Sequence, residues 1–364
     1  MKLNEQNGPT TISHCWAVTL FACFAIMGSE SVAESELLIA PRAQTYHGVR
    51  FSPDGRFVVA SCGVPRKQGS GLAIWETATG ELLQWIDNTA RDIPGGVASW
   101  DFCPPNHLVA VSPNSSKLYF IQHHLIDRKD TWKLMARLPR KVHPQNRLIG
   151  MDAIACSTDG KHLACTSAAM YRPPFGAATG AIEIWDIPQQ RIRSTIESPD
   201  RFSWALHFIG EDLAFMCSRT IVRANIDGDI VATRKAESFV THDPSFSTMD
   251  VSPDGQQIAV AGKGYIAIVD AKTFETIHTF PIPNGETSQV IHYTPDGRRL
   301  IEGETFQHIR VWDTESGKIL DQREFKRIAD LDISPDGETI ALTSKIDTKG
   351  VFLWNLKDLI NAPF

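Results

Sequence analysis

The chain has 364 residues, 42% of them hydrophobic, with no long low-complexity or single-sign run; it can bury a large core and is not a disordered protein. A formal net charge of -6 gives no general attraction to nucleic acid, and the 5 Tyr, 9 Trp and 18 Phe form no RNA-binding aromatic motif. Nucleic acid is thereby excluded as an expected partner.

The first element is an apolar run, "CWAVTLFACFAIMG" from Cys15 to Gly28, followed by "SESVAES". With Lys2 ahead of it and the small residues Ser31 and Ala33 behind, residues 1–33 read as a secretory signal peptide cleaved after Ala33. The run is short for a spanning helix, which needs ~20 apolar residues. An uncleaved membrane anchor is the alternative, and a lipoprotein through "LFAC" at Cys23 ranks below it, because the apolar run continues past that cysteine. The expected location is extracytoplasmic, periplasmic or secreted, with no spanning segment after cleavage.

Residues 34–364 are one repetitive domain. The tetrapeptide SPDG occurs at Ser52 to Gly55, Ser252 to Gly255 and Ser334 to Gly337, with near-copies at Ser157 and Thr294. Pro presets φ at the second turn position, Asp tolerates the third and Gly accepts the positive φ that closes the turn. Each copy lies between segments of alternating apolarity such as "RFVVAS", "QQIAVAG" and "ETIALTS", so it joins two antiparallel strands. A second signature closes a later strand: "LAIWE" at Glu76, "IEIWD" at Asp186, "IAIVD" at Asp270, "IRVWD" at Asp313 and "VFLWN" at Asn355. A polar turn and one more strand follow, which makes four strands per unit.

Degenerate turns at Pro104 and Ile209 complete the set of anchors with Pro53, Thr158, Pro253, Pro295 and Pro335, spaced 40 to 54 residues apart. Four strands repeating at about 40–45 residues with a Trp-Asp close is the pattern of propeller blades. On these motifs the chain resembles the WD-repeat β-propeller family, as a divergent, secreted bacterial-type member that lacks the Gly-His pair opening a typical repeat. The resemblance implies an all-β, seven-bladed propeller of four-stranded antiparallel blades. Ring closure then falls to "SELLIA", Ser35 to Ala40, as outer strand of the last blade, the alternative being self-completion by "LKDLINAPF". A monomer is expected.

Cys62, Cys103, Cys156, Cys165 and Cys217 are an odd set without CxxC spacing, so no disulfide framework is expected and most read as buried small hydrophobes. There is no GxSxG, HExxH, phosphate-cradling Gly loop or EF-hand spacing. His123, His124 and His242 have no partner at ligand spacing. No enzyme activity, cofactor or metal is expected.

In WD-repeat propellers the loops between second and third strands share a face with the blade-to-blade loops, and those positions here carry the long insertions. They hold Arg66, Lys67, Arg140, Lys141, Arg147 and Arg172. The expected function is non-enzymatic: a scaffold presenting this basic loop face to a protein partner outside the cytoplasm. The alternative is a propeller enzyme with a metal or quinone in the central channel.

Aligning the inner strands on their turns puts Arg50, Asp101, Ala155, His207, Asp250, His292 and Asp332 at one position, beside the propeller axis. The expectation is a belt of ion pairs, Arg50 between Asp332 and Asp101, His207 with Asp250 and His292 with Asp250 or Asp332, with raised histidine pKa values. A metal or proton-handling site at His207, Asp250, His292 and Asp332 is the functional alternative.

Overall fold

The computed structural model describes residues 36–360 apart from 41–42, 44, 64–69, 88–96, 98, 105–106, 112–116, 127–128, 140–152, 168–180, 199–202, 218, 237–245 and 347–349. Residues 1–33, read from the sequence as a signal segment, and the loop residues Arg66, Lys67, Arg140, Lys141, Arg147 and Arg172 lie outside the described residues, as does His242.

Seven separate four-stranded antiparallel sheets follow one another along the chain, and together they form a seven-bladed β-propeller. Their inner strands are Tyr46–Phe51, Ser99–Cys103, Ile154–Cys156, Ser203–Ile209, Phe246–Val251, Ser288–Tyr293 and Ile328–Ile333, which number blades 1 to 7. The ring is closed by strand exchange: Glu36–Leu38 pairs antiparallel with Val351–Asn355, the third strand of blade 7, in the register Leu37 to Phe352. The C-terminal segment does not complete the blade. Leu356–Ile360 is one helical turn whose Leu356 and Leu359 are buried in the core between blades 6 and 7.

The two sequence signatures have distinct physical jobs. In the first turn of blade 1 the Ser52 hydroxyl donates to Asp54 Oδ1 at 2.6 Å and accepts the Phe57 N–H at 2.9 Å, while Gly55 takes φ +72° and donates its N–H to the Ser52 carbonyl. The same knot recurs at Ser157, Ser252, Thr294 and Ser334. The acid of the second signature caps the turn from third to fourth strand: Asp313 Oδ1 accepts the Ser316 N–H and Asp270 Oδ1 the Thr273 N–H, both at 2.7 Å.

Because side chains alternate across a strand, each blade turns one apolar face to each neighbour. The core is therefore a ring of layers, one per blade interface. Trp312 and Leu300 of blade 6 pack on Ile266, Ile268 and Phe280 of blade 5, whereas Ile309 and Val311 of the same blade pack on Ile328 and Leu331 of blade 7.

Contrary to the reading of the cysteines, Cys103 and Cys156 form a disulfide between the inner strands of blades 2 and 3, with Cα atoms 5.2 Å apart. Cys103 stands at the first turn position, where blade 1 has Ser52, and Cys156 one position before its turn, where blade 1 has Phe51, so the two lie close together on the inner strands of adjacent blades. Cys62, Cys165 and Cys217 are buried thiols.

Candidate functional site

The six belt residues all lie on inner strands facing the central channel. They divide into two clusters. In the first, Asp250 serves two histidines, with His207 Nδ1 3.6 Å from its Oδ1 and His292 Nδ1 3.5 Å from its Oδ2. In the second, Arg50 donates to Asp330 Oδ2 at 2.6 Å and to its own neighbour's carbonyl, that of Val49. Asp330, not Asp332 or Asp101, is thus the direct partner of Arg50, a correction to the expected pairing. The signal was present: Asp330 precedes Asp332 by two residues, so strand alternation places both on one face.

The three belt aspartates do a further job that alignment by charge did not reveal. Each accepts a backbone N–H from the next blade's inner strand: Asp101 Oδ2 from Cys156 at 3.0 Å, Asp250 Oδ2 from Tyr293 at 2.7 Å and Asp332 Oδ2 from Phe51 at 2.6 Å. The acceptor aspartates therefore fix blade register as hydrogen-bond caps more than as ion pairs.

Electrostatics separate the two histidines. Burial opposes charge on His292, but Asp250, through charge and hydrogen bond, outweighs it and raises the pKa. At His207 burial wins, helped by the nearby His292 and Arg50, and the pKa falls. The expectation of raised values for both is corrected: one carboxylate shared by two imidazoles stabilises only one proton. Burial pushes Asp101 up to about 6 and raises Asp332, whereas Asp250 is lowered because its histidines outweigh the burial cost. Burial also works against the Arg50 charge, but Asp330, Asp332 and Asp101 hold it above its ordinary range.

Turns joining first to second strands lie on one face of the propeller, and loops joining second to third strands lie with the blade-to-blade connections on the other. On that second face, at blades 6 and 7, three loops meet. Arg327, at φ +52°, donates its N–H to the Phe306 carbonyl and accepts the Lys345 N–H on its own carbonyl, both at 2.8 Å. Its guanidinium lies 5.8 Å over the Phe306 ring. Phe306 and Ile346 are 57% and 54% exposed, two of eight exposed large apolar side chains among the described residues, and these two are brought to neighbouring loops. Lys326 and Lys345 flank them; burial and the adjacent Arg327 lower the Lys345 pKa.

This patch is supported from below by an ionic cluster that sequence reasoning missed. Arg310, 1% exposed, donates to Glu302 at 3.1 Å and Gln322 at 2.8 Å, and also to Glu286. Glu302 is pushed up to about 7 by burial, against the pull of Arg310. Glu304 accepts the Gln307 N–H at 2.7 Å and so holds the turn that carries Phe306. Ligand-type atoms of Glu286, Glu304 and His308 lie within 4.8 Å of one another, but the Arg310 guanidinium, bound to Glu286 and 3.3 Å from His308 Nδ1, already brings a cation to that space. The alternation of charged and apolar residues in "RLIEGETFQHIRVWD" does not by itself tell that Glu302 and Arg310 are buried.

His123, set aside as a ligand, lies between Phe57 and Trp132 with ring centroids 5.0 Å from each, and its Nε2 is 2.6 Å from Asp130, which Arg56 also reaches. It clasps blade 1 to blade 2.

These features define the class: a seven-bladed β-propeller with a charged channel and a loop face bearing an apolar patch edged with positive charge. The chain is similar to WD repeat-containing protein 36 of Homo sapiens, 31% identical over 91 residues, which is 25% of this chain and 10% of that protein. The match thus spans about a tenth of the relative's length. No family model matches the chain.

Proposed function

We propose that this protein is a non-enzymatic binding scaffold that acts outside the cytoplasm and presents its loop face to a protein partner. The single observation that carries the reading is the Phe306, Arg327, Lys345 and Ile346 patch. Two exposed apolar side chains are held by backbone hydrogen bonds across three loops and edged with cations. A rigid frame of that kind favours binding, because little conformational freedom is lost on contact. The likeness to a WD-repeat protein supports an interaction role. An extracytoplasmic site is supported by the disulfide between Cys103 and Cys156, since such bonds persist in oxidising compartments.

The partner segment that fits is acidic with apolar anchors, because Lys345 and Arg327 repel one another until a carboxylate neutralises them. The test is a comparison of partner capture from the extracytoplasmic fraction by wild type and by a Phe306→Ala, Ile346→Ala double variant. Partners enriched by wild type should be lost with the variant and should elute with salt. Equal capture by both proteins would place the interface elsewhere. Capture only from a cytoplasmic fraction would refute the location.

A further inference from the structure

The outer strands of the blades divide by charge. Those of blades 2, 3 and 4, Lys129–Pro139, Arg191–Glu197 and Ile230–Lys235, hold three, two and two Lys or Arg against one, one and no acid. Those of blades 5, 6, 7 and 1, Thr276–Pro281, Ile319–Glu324, Glu36–Leu38 and Leu82–Asp87, hold one Arg in all, Arg323, against four acids. One arc of the rim is therefore basic in a chain whose net charge is -6. Asp227 and Asp229, on the turn into the outer strand of blade 4, offset part of that charge, and Asp227 pairs with Arg193 at 2.7 Å. Asp130 is turned to His123 and Arg56, and exposed Lys129 and Lys133 have no ion pair among the described residues.

Apolar side chains are set into the same arc by the backbone. In each of the three basic strands one residue has no partner opposite it in the ladder, and it falls at the same position in successive blades: Met135, Arg193 and Val231. A bulge of this kind re-aims its side chain. Met135 and Val231 are 56% and 47% exposed, and Ile230 beside Val231 is 45% exposed. Ile277, the bulge residue of blade 5, is exposed too, whereas Leu83 of blade 1 and Leu320 of blade 6 pack against interior layers.

We propose that the outer rim of blades 2 to 4 seats on an anionic lipid surface, with Met135, Ile230 and Val231 entering the headgroup region and the surrounding Lys and Arg meeting lipid phosphates. This surface is separate from the loop face and does not depend on its reading. A negatively charged leaflet attracts each cation near it, and apolar side chains among the cations add burial at the headgroup boundary. A soluble polyanion would use the cations and leave the apolar side chains in water. The acidic strands of the other blades are repelled by such a surface, which selects one orientation.

Co-sedimentation of the intact protein with vesicles of phosphatidylcholine alone, and with vesicles that also carry phosphatidylglycerol, tests it. Binding to the anionic vesicles should be at least about tenfold tighter and should fall as salt rises. Lys129→Glu with Lys133→Glu should weaken it at least about tenfold. Met135→Ser with Val231→Ser should weaken it at unchanged charge. Arg323→Gln, on the acidic arc, and Phe306→Ala with Ile346→Ala, on the loop face, should leave it unaltered. Equal binding to both vesicle types, full binding by the Lys129 and Lys133 variant, or loss with the loop-face variant would overturn the proposal. Binding that dextran sulfate matches and that the serine variant keeps would assign the rim to an acidic polymer or protein, and refutes a lipid seat.

Discussion

The Asp250 carboxylate reaches across the boundary between blades 5 and 6 to accept the Tyr293 N–H at 2.7 Å, one residue beyond the histidine that its charge stabilises. Asp101 and Asp332 repeat the contact to Cys156 and Phe51 at the next-blade position one residue after the aligned belt site. Blades 2, 5 and 7 thus each hold the following blade at the same height on the channel wall. The apolar layers between sheets tolerate sliding, whereas a directional hydrogen bond does not.

Removing this cap should be costly. Asp250→Ala strands a buried N–H and leaves His292 without its counter-charge, so a loss of about 2–4 kcal/mol is expected in chemical denaturation at neutral pH. Asp250→Asn keeps one acceptor oxygen and should cost less. Equal losses from the two variants would show that the charge, not the cap, carries the effect.

The histidine pair predicts opposed pH effects. His292 has a raised folded pKa, so its stabilisation is full below the ordinary imidazole value of about 6.5 and is lost as pH rises through the folded value. His207 has a lowered one, so its contribution is present above about 6.5 and is lost as pH falls through its folded value. His292→Gln should therefore lose more stability at pH about 5.5 than at about 8, and His207→Gln should gain relative to wild type at the lower pH. Titration of the two imidazoles by NMR checks the order directly; His207 titrating above His292 would reverse the assignment.

Much of this architecture is legible in local sequence. The Ser-Pro-Asp-Gly turns and the Trp-Asp closes follow from residues a few positions apart, because turn chemistry and strand alternation are local, and the pairing of the N-terminal strand with blade 7 follows from counting the strands of that blade. What escaped depends on contacts between blades. Alternation tells that Asp330 shares a face with Asp332, but not that Arg50, 280 positions away, prefers the former. The Cys103 to Cys156 bond escaped for the same reason, since it needs the spacing between neighbouring sheets. The buried Arg310 cluster lies within blade 6, with Glu302 and Gln322 opposite Arg310 on the adjacent strands, and needs the register of three strands, which no single strand encodes. The pKa of His207 is a still finer matter, a balance of burial against one shared carboxylate.

Trp312→Ala should cost about 3–5 kcal/mol. The side chain is buried between blades 5 and 6, stacked on Phe280 with ring centroids 6.4 Å apart and planes 12° from parallel. A cavity there is walled by β-strands of two sheets that cannot collapse without shifting register. Urea unfolding measures the loss; a value under about 1 kcal/mol would mean that the two blades close over the gap.

The disulfide ties together blades that the Asp101 cap already aligns, and its effect can be separated from that of the cap. The bond closes a loop with a sequence separation of 53 residues, for which the chain-entropy model gives about 4 kcal/mol as the stabilisation from restricting the unfolded chain. Cys103→Ser with Cys156→Ser should therefore lower stability by up to that amount while leaving the Cys156-position N–H free to pair with Asp101, so the native fold and its channel should persist. Adding a reductant to wild type should reproduce the loss, and should do nothing further to the double variant. Thiol labelling under native conditions should stay low in both, because Cys62, Cys165 and Cys217 are buried. Two labelled thiols in unreduced wild type from oxidised cell fractions would show that the bond does not form there, and would remove the support it lends to an extracytoplasmic location.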